Sequence, residues 1–279
     1  GHGETSMPFA PGFAFARPRK RLTLRLMNRR DFLVRSALVS SAGLLARSIA
    51  AEKSTAAPAA VRPATAPVPA NPVFKPLRRD VGLFTARGGS IGWLASKDAL
   101  AAVDTQFPDT APLFLAGLPG RAGRKLDVLV NSHHHGDHTG GNGVFKPETK
   151  SIVAQANVPA LQRARAEKDG TLDRQTYADT TFPETWRQAL GSETISARYF
   201  GAAHTKGDIV TLFEKANVIH LGDLLFNRLY PAIDRPGGGT IRGWIGVLEK
   251  IEKAYPADAI FIFGHANARF GETGTRADL

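Results

Sequence analysis

The alternation of hydrophobic and polar residues after position 72 predicts strands both early and late in the chain. Two strand-like runs, 81–87 and 90–96, flank Gly88-Gly89 and predict a hairpin. A second hairpin is predicted around Lys215-Ala216, where runs 208–214 and 217–222 meet. Further strands are predicted at 99–105, 126–130 and 194–200, and the last strand is predicted at 259–263. The run 126–130 is short and fully apolar, the pattern of a strand that is buried on both faces.

Helices are predicted between these strands, at 108–118, 154–168 and 241–255. In the last helix, one face is predicted to carry Ile241, Trp244, Ile245, Leu248, Ile251 and Tyr255. Strands early and late, with helices between and around them, indicate a layered α/β domain. We expect this domain to span residues 73–279.

The first 72 residues have a different character. In the segment 27–50, Arg29-Arg30 precede an apolar run to Ala46, and small residues follow at a spacing that signal peptidase accepts. This segment resembles a bacterial twin-arginine export signal, which predicts a periplasmic protein that meets the twin-arginine translocase during export. The alternative is a short helix that begins with two arginines by chance. The apolar run is too short for a stable membrane anchor.

Residues 1–26 precede a plausible start at Met27, and we interpret them as a leader extension or an added remnant. Residues 51–72 contain five prolines and many alanines, which predicts a flexible linker.

Composition narrows the chemistry of the predicted domain. The net charge is +11, but nine of the 36 basic residues and only two of the 25 acidic ones lie in the first 50 positions. Nucleic-acid binding is therefore not expected, because the remaining chain has no strong basic excess. There is no cysteine, so a metal must be held by histidine nitrogens and carboxylate oxygens.

Residues 131–142 read N-S-H-H-H-G-D-H-T-G-G-N and contain four of the eight histidines. Side chains alternate along an extended segment, so His133 and His135 can reach one ion together while His134 points elsewhere. Imidazole and carboxylate donors without sulfur suit zinc best among the abundant metals.

The second half of this motif predicts a second metal position. Gly136 lets the chain turn sharply, and Asp137 and His138 then face a neighbouring position. The alternatives are a polar surface loop or a proton-shuttling histidine cluster. Four donors directly after a buried strand favour metal binding over both.

The pattern H-x-H-x-D-H followed by T-G-G-N resembles the metallo-β-lactamase fold superfamily, and the resemblance covers roughly Val81 to His265. It implies a four-layer αβ/βα sandwich. It also implies that His204, in G-A-A-H-T-K-G-D, is the third ligand of the first metal, and that His265, in I-F-I-F-G-H, completes the second. Only 14 residues follow His265, so the helix that usually closes the outer face is expected to be missing.

Two aspartates complete the implied site. Asp223, in I-H-L-G-D, matches the carboxylate that bridges both metals in hydrolases of the glyoxalase II type. Asp104, in V-D-T, matches a carboxylate at the end of an early strand and is expected to support a ligand. His220 lies within a predicted strand and is interpreted as structural. Asp223 replaces the cysteine of one large group of zinc β-lactamases, which disfavours that group.

The fold resemblance implies a hydrolase with two zinc ions per chain, and the resemblance of residues 27–50 to an export signal implies that it is exported. A hydroxide that bridges the two metals would attack the carbonyl of a lactam, lactone, ester or thioester, and Asp137 would orient it. The site keeps a net positive charge after Asp137, Asp223 and hydroxide are counted, so a small anionic substrate is favoured. The glycine-rich segment 234–239 is predicted to be either a mobile substrate wall or a plain connector. Lys206 and Arg235 are candidates to meet a substrate carboxylate.

Two other functions use the same residues. The ligand set can hold iron, as in redox enzymes of this fold with one or two irons. The protein can also be a non-catalytic periplasmic metal-binding accessory. Metal analysis and a hydrolysis panel distinguish these possibilities from a zinc hydrolase.

Overall fold

The computed structural model describes residues 71–279. The predicted leader extension, the twin-arginine signal and all but the last two residues of the linker lie outside the described residues. The strands of the described part are β1 Val73–Arg78, β2 Val81–Thr85, β3 Ile91–Ala95, β4 Leu100–Val103, β5 Val128–Asn131, β6 Ile152–Gln155, β7 Thr180–Phe182, β8 Thr185–Leu190, β9 Glu193–Tyr199, β10 Ile209–Phe213, β11 Val218–His220, β12 Phe226–Asn227, β13 Ile260–Ile262, β14 His265–Ala266 and β15 Thr273–Gly274.

The α-helices are α1 Ala111–Gly117, α2 Gly136–Thr139, α3 Asn142–Phe145, α4 Val158–Asp169 and α5 Ile241–Ala254. Short 3-10 helices lie at Lys146–Glu148, Leu172–Arg174, Gly222–Leu224 and Arg276–Asp278. Among the described residues, no helix combines the length and apolar character that a membrane crossing requires.

Two sheets organise these elements. The first has the order β1-β2-β3-β4-β5-β6-β7, antiparallel as far as β4 and parallel from β4 to β7. The second has the order β15-β13-β11-β10-β9-β8, with β13 parallel to β11. Both predicted hairpins are confirmed, since β2 pairs antiparallel with β3 and β10 pairs antiparallel with β11.

Alternation along the strands builds four layers. In β4, Ala101 and Val103 join a core cluster that contains residues of both sheets. Leu100 and Ala102 point to the opposite face, where they pack with Phe114 of α1. On the far side of the second sheet, Trp244 of α5 packs on that sheet's outer face. The order helix, sheet, sheet, helix confirms the predicted four-layer αβ/βα sandwich.

The structure differs from the sequence prediction in three respects. The helix predicted at 154–168 begins too early, because residues 152–155 form β6 between β5 and β7, and α4 starts only at Val158. The run 259–263 is not the last strand, since β14 and β15 follow it. Strands β1, β7 and β8 were not predicted, because their exposed positions break the apolar pattern.

The predicted face of α5 is only partly buried. Trp244 and Ile251 are buried together with Val247, whereas Ile241 and Ile245 are 57% and 54% exposed. After Ala254 the described chain contains no further α-helix. Instead, β15 pairs antiparallel with β13 and extends the second sheet.

Candidate metal centre

Asp104 and the predicted ligands other than His204 come from segments that follow four strands. Asp104 follows β4 and the histidine-rich segment follows β5, and these strands are parallel neighbours in the first sheet. Asp223 follows β11 and His265 follows β13, and these strands are parallel neighbours in the second. Parallel neighbours end at the same edge of a sheet, so chain segments that are distant in sequence meet there.

The T-G-G-N part of the motif holds the histidine-rich segment in place. The Asn131 and Asn142 side-chain amides donate to each other's oxygens at 3.0 and 2.9 Å. A Cβ at Gly141 would lie 2.5 Å from the backbone oxygen of Thr105, and one at Gly140 would lie 2.4 Å from that of Gly136. These glycines are therefore needed for close backbone approach.

The first cluster contains His133, His135, His204 and Asp223, with one donor atom of each residue within 4.8 Å of the others. His204 Nε2 lies 2.9 Å from His135 Nδ1 and 3.4 Å from Asp223 Oδ2. His133 Nε2 lies 3.7 Å from the same carboxylate oxygen. The structure therefore brings together the residues that were predicted for the first metal.

The second cluster contains Asp137, His138 and His265. Asp137 Oδ2 lies 3.0 Å from His265 Nε2 and 3.6 Å from His138 Nε2. Asp223 Oδ1 lies 3.0 Å from His138 Nε2 and 3.4 Å from His265 Nε2, while its Oδ2 faces the first cluster. The two oxygens of Asp223 thus join the clusters, which is the position expected of a bridging carboxylate.

Four of these histidines have a protein acceptor at the ring nitrogen that is turned away from the cluster. An N–H that donates to such an acceptor leaves the lone pair of the neutral ring on the other nitrogen, which faces the cluster. The four contacts are His133 Nδ1 to Ser132 Oγ at 3.0 Å, His138 Nδ1 to Asp104 Oδ2 at 2.8 Å, His204 Nδ1 to the Ala232 oxygen at 2.6 Å and His135 Nε2 to Asp234 Oδ2 at 2.9 Å. The expected supporting role of Asp104 agrees with its contact to His138.

Two buried atoms test whether these residues fit a metal. His133 Nε2 and Asp223 Oδ1 are buried and have no hydrogen-bond partner among residues 71–279. Buried polar atoms normally have a hydrogen-bond partner. Buried atoms without one, within a cluster of histidine and carboxylate donors, are typical of a cation site. The donor set therefore fits two divalent ions that prefer nitrogen and oxygen ligands.

Electrostatics keep the carboxylates ionised. Burial alone would raise the pKa of Asp223, but the nearby His138 and His133 hold this pKa well below its usual range. Burial also opposes ionisation of Asp137, yet its hydrogen bond with His265 lowers the pKa of this carboxyl. Burial would lower the pKa of His265, but the nearby carboxylates of Asp137 and Asp223 raise this pKa to about 9. Without a metal, protons therefore neutralise part of this negative charge.

The role of Asp234 is not apparent from the sequence. This aspartate begins the glycine-rich segment that was predicted to be a mobile wall or a connector. Its Oδ1 accepts from the Gly237 backbone N–H at 3.0 Å, while its Oδ2 accepts from His135. The Asp234 backbone N–H donates to the His204 oxygen at 3.1 Å. A Cβ at Gly239 would lie 2.1 Å from that oxygen, so these glycines permit close packing against the His204 turn. The Asp-x-x-Gly spacing is the signal that could have indicated a local turn.

Two other histidines have separate surroundings. His134 Nε2 lies 3.4 Å from Asp234 Oδ2. Burial is the main cause that lowers the pKa of His134 to about 3, and the charge of His135 is the second. It is neutral and shares Asp234 with His135. His220 Nε2 donates to the Ser90 oxygen at 3.1 Å, and its Nδ1 accepts from the Gly222 backbone. These contacts agree with the structural role predicted for His220.

A cavity of about 490 Å³ opens beside the second cluster and is lined on that side by His135, Gly136 and Asp137. Gly136 does not adopt a positive φ, and a Cβ there would meet nothing within 4 Å. The turn therefore does not depend on this glycine. Arg235, a candidate substrate contact, lies instead on a separate cleft beside Gly238.

Comparison with known proteins identifies the family to which this chain belongs. Residues 84–265 match the model of the metallo-beta-lactamase superfamily. Two similar curated proteins are the hydroxyacylglutathione hydrolases of Methylococcus capsulatus and Cereibacter sphaeroides. The first is 34% identical over 63% of this chain and 62% of its own length, and the second is 31% identical over 64% of each. The chain therefore spans a little under two thirds of the length of these relatives.

Similar folds occur among solved structures. A metallo-beta-lactamase from Pontibacter korlensis has a TM-score of 0.61 at 16% identity, and the alignment covers 75% of this chain and 95% of that one. The DIM-1 metallo-beta-lactamase has a TM-score of 0.59 at 19% identity, with 74% and 92% covered. At these identities the similarity concerns the fold alone.

Proposed function

Because the chain belongs to the metallo-β-lactamase superfamily, we propose that it is a dizinc hydrolase that cleaves a carbonyl compound, with thioesters as the first class to test. The observation that carries this proposal is the placement of Asp223 between two histidine clusters, with one oxygen facing each. The relatives named hydroxyacylglutathione hydrolase favour thioesters over lactams. The aspartate, in place of a cysteine at position 223, agrees with that preference.

The ligand sets follow from the two clusters. His133, His135 and His204 would hold one zinc, Asp137, His138 and His265 would hold the other, and Asp223 would bridge them. Zinc bound there would supply a water whose pKa is lowered to roughly 7 and would polarise a carbonyl oxygen.

The chain's own residues would position the attacking water and the imidazole ligands, and one of them would accept a proton from the water. Asp137 is ionised and 28% exposed at the cavity wall, so its carboxylate can orient an attacking water and accept its proton. Asp104 is fully buried and holds the His138 ring through Nδ1. Asp234 does the same for His135 through Nε2. These contacts fix the imidazoles before substrate arrives.

The hydrolysis test uses the purified, zinc-loaded protein with thioesters, lactones, esters and β-lactams. We expect hydrolysis of at least one class, with about two zinc ions per chain, and Asp137→Asn should lower kcat by about 100-fold. Asp173→Asn, at an exposed position on the 172–174 turn, is the matched control. A folded, zinc-loaded protein that is inactive on every class would contradict the proposal and favour an accessory role. Iron in the purified protein together with absent hydrolysis would favour a redox enzyme.

We also propose that the protein acts in the periplasm after twin-arginine export, on a small molecule and not on nucleic acid. The support for export is the sequence of residues 27–50 alone. Fractionation of cells that express the full chain should find the protein in the periplasm. The double substitution Arg29→Lys and Arg30→Lys should retain it in the cytoplasm. Unchanged export of that variant would contradict the signal.

A further inference from the structure

The cavity beside the second cluster has two chemically different walls. One wall carries His135 and Asp137 of the metal-binding segment. The other is formed by α4 and the segment after it, and it carries Gln162, Arg165 and Asp169. A molecule whose reacting carbonyl lies beside Asp137 would therefore extend towards α4.

Arg165 presents unused hydrogen-bond donors on that second wall. Its Nε donates to Asp169 Oδ2 at 2.6 Å, one helical turn along α4. Within residues 71–279 its guanidinium has no second hydrogen-bond or ion-pair partner, and the side chain is 56% exposed. Because Asp169 occupies Nε, the two Nη groups remain available as an end-on fork, a geometry that matches a carboxylate. Asp169 thus positions Arg165.

Gln162 gives a second, independent indication of a ligand. This residue lines the same cavity and is only 3% exposed, and its Oε1 has no hydrogen-bond partner among the described residues. Its Nε2 is already used, since it donates to Gln175 Oε1 at 2.9 Å. A buried acceptor without a partner on a cavity wall is suited to an N–H or O–H group of a bound molecule.

We propose that Arg165 binds the carboxylate of an anionic substrate whose carbonyl lies beside Asp137, an assignment that rests on the proposed hydrolase function. Lys206 and Arg235, the cations that the sequence suggested for this role, do not line this cavity. The substrate class is therefore a carbonyl compound with a carboxylate several bonds from the bond that is cleaved. An N–H or O–H group near that carboxylate would meet Gln162.

The kinetic test compares matched acids and amides on the zinc-loaded protein. The substrates are the S-acetyl thioesters of 3-mercaptopropionic and 6-mercaptohexanoic acid, each with its terminal primary amide. We expect the wild-type protein to prefer the acid of at least one length. Arg165→Gln should lower the acid-to-amide ratio of kcat/KM by about tenfold, which is the loss expected when a charge-assisted hydrogen bond is removed. Arg165→Lys should retain part of the ratio, because lysine keeps the charge but not the fork.

Arg163→Gln is the matched control. Arg163 lies on the same helix, but it lines a different surface cleft and stacks over the Tyr177 ring at 5.1 Å. The acid-to-amide ratio should therefore stay at the wild-type value in this variant. An equal ratio in wild type and Arg165→Gln, or an equal fall in both arginine variants, would overturn the proposal.

A binding measurement separates this inference from the proposed function. Calorimetry would compare adipate and adipamide on zinc-loaded wild type, Arg165→Gln and Arg163→Gln. If the protein hydrolyses nothing but binds adipate in an Arg165-dependent way, the hydrolase proposal fails and the carboxylate site stands. If the protein hydrolyses thioesters without any dependence on Arg165 in either measurement, the hydrolase stands and the carboxylate site fails.

Discussion

His135 Nε2 lies 2.9 Å from Asp234 Oδ2, although 99 residues separate the two in the chain. Because Nε2 donates to this carboxylate, the lone pair of the imidazole is on Nδ1, which lies 2.9 Å from His204 Nε2. Two nitrogens that point at each other in this way are suited to a shared cation. The contact therefore links a glycine-rich segment outside the histidine motif to the geometry of the first cluster.

The first prediction concerns this contact. Asp234→Ala should weaken zinc binding by about 10–100-fold, since loss of a residue that orients a metal ligand typically has this effect. Competition with a chromogenic chelator measures the affinity, and Asp173→Ala is the exposed control. Affinity equal to wild type in the Asp234 variant would show that His135 is held by its backbone alone.

The second prediction concerns Asp104, which is fully buried and accepts three hydrogen bonds. They come from the Ser132 backbone at 2.7 Å, the Ser132 hydroxyl at 2.6 Å and His138 Nδ1 at 2.8 Å. Asp104 has a φ of 71°, which asparagine also tolerates, so Asp104→Asn isolates the effect of the charge. We expect about 3 kcal/mol lower free energy of unfolding in urea, because charge-assisted hydrogen bonds to a buried carboxylate are lost.

The same substitution should also weaken the second metal position. An amide NH₂ that faces His138 Nδ1 favours the tautomer with its proton on Nε2, the nitrogen that faces the cluster. Zinc content should then fall below two per chain. The control is Asp98→Asn, at a half-exposed side chain. A loss below about 1 kcal/mol, the net value of one ordinary hydrogen bond, would contradict the prediction.

The third prediction is a pH dependence from Asp208. This carboxyl accepts from the Thr205 backbone at 2.7 Å and the Thr205 hydroxyl at 2.6 Å, and burial raises its pKa to about 7. Between about pH 4 and this value, the unfolded chain has released the proton while the folded chain keeps it. The contribution of Asp208 to stability therefore falls as pH rises towards 7 and is constant above it, with a slope of up to about 1.4 kcal/mol per pH unit.

Asp208→Asn should lack this slope. Urea unfolding of the metal-free proteins between pH 4.5 and 7.5 measures the difference, and removal of metal excludes changes in metal occupancy. Curves for wild type and Asp208→Asn that run parallel across this range would show that the carboxyl ionises normally in the folded protein.

The fourth prediction concerns metal removal. Because zinc is expected to bind only the assembled clusters, chelation should lower the free energy of unfolding by about 4 kcal/mol for each zinc site when zinc had been present at a thousandfold excess over its Kd. Returning zinc should restore the original stability. Asp223→Asn should reduce the zinc content more than His265→Ala, since Asp223 contacts both clusters and His265 only one. Equal zinc loss in the two variants would contradict a bridging position for Asp223.

Local patterns in the sequence were sufficient for much of the architecture and for the candidate ligands of the segment 131–142, whereas His204, Asp223 and His265 were implied by the family resemblance. Strand β5 could be predicted because it is a short, continuous apolar run. The two hairpins could be predicted because strand-like runs flank short turn sequences. The spacing of His133 and His135 was informative for the same reason, since alternation is set by the extended backbone itself. Strand β8 was not predicted, because Gln188 separates Trp186 and Leu190 on its inner face and the alternate residues are exposed.

The sequence by itself determined the donor chemistry, histidine and carboxylate without sulfur, and the layered α/β order of elements. Only the tertiary structure decided that Asp234 supports His135 and that Arg165 lines the cavity beside Asp137. The physical reason is the separation along the chain of the residues that make these contacts. A repeating pattern reports the period of one backbone segment, whereas these contacts depend on how separate segments pack at the edges of two sheets. That packing is an outcome of the whole core, and no segment encodes it alone.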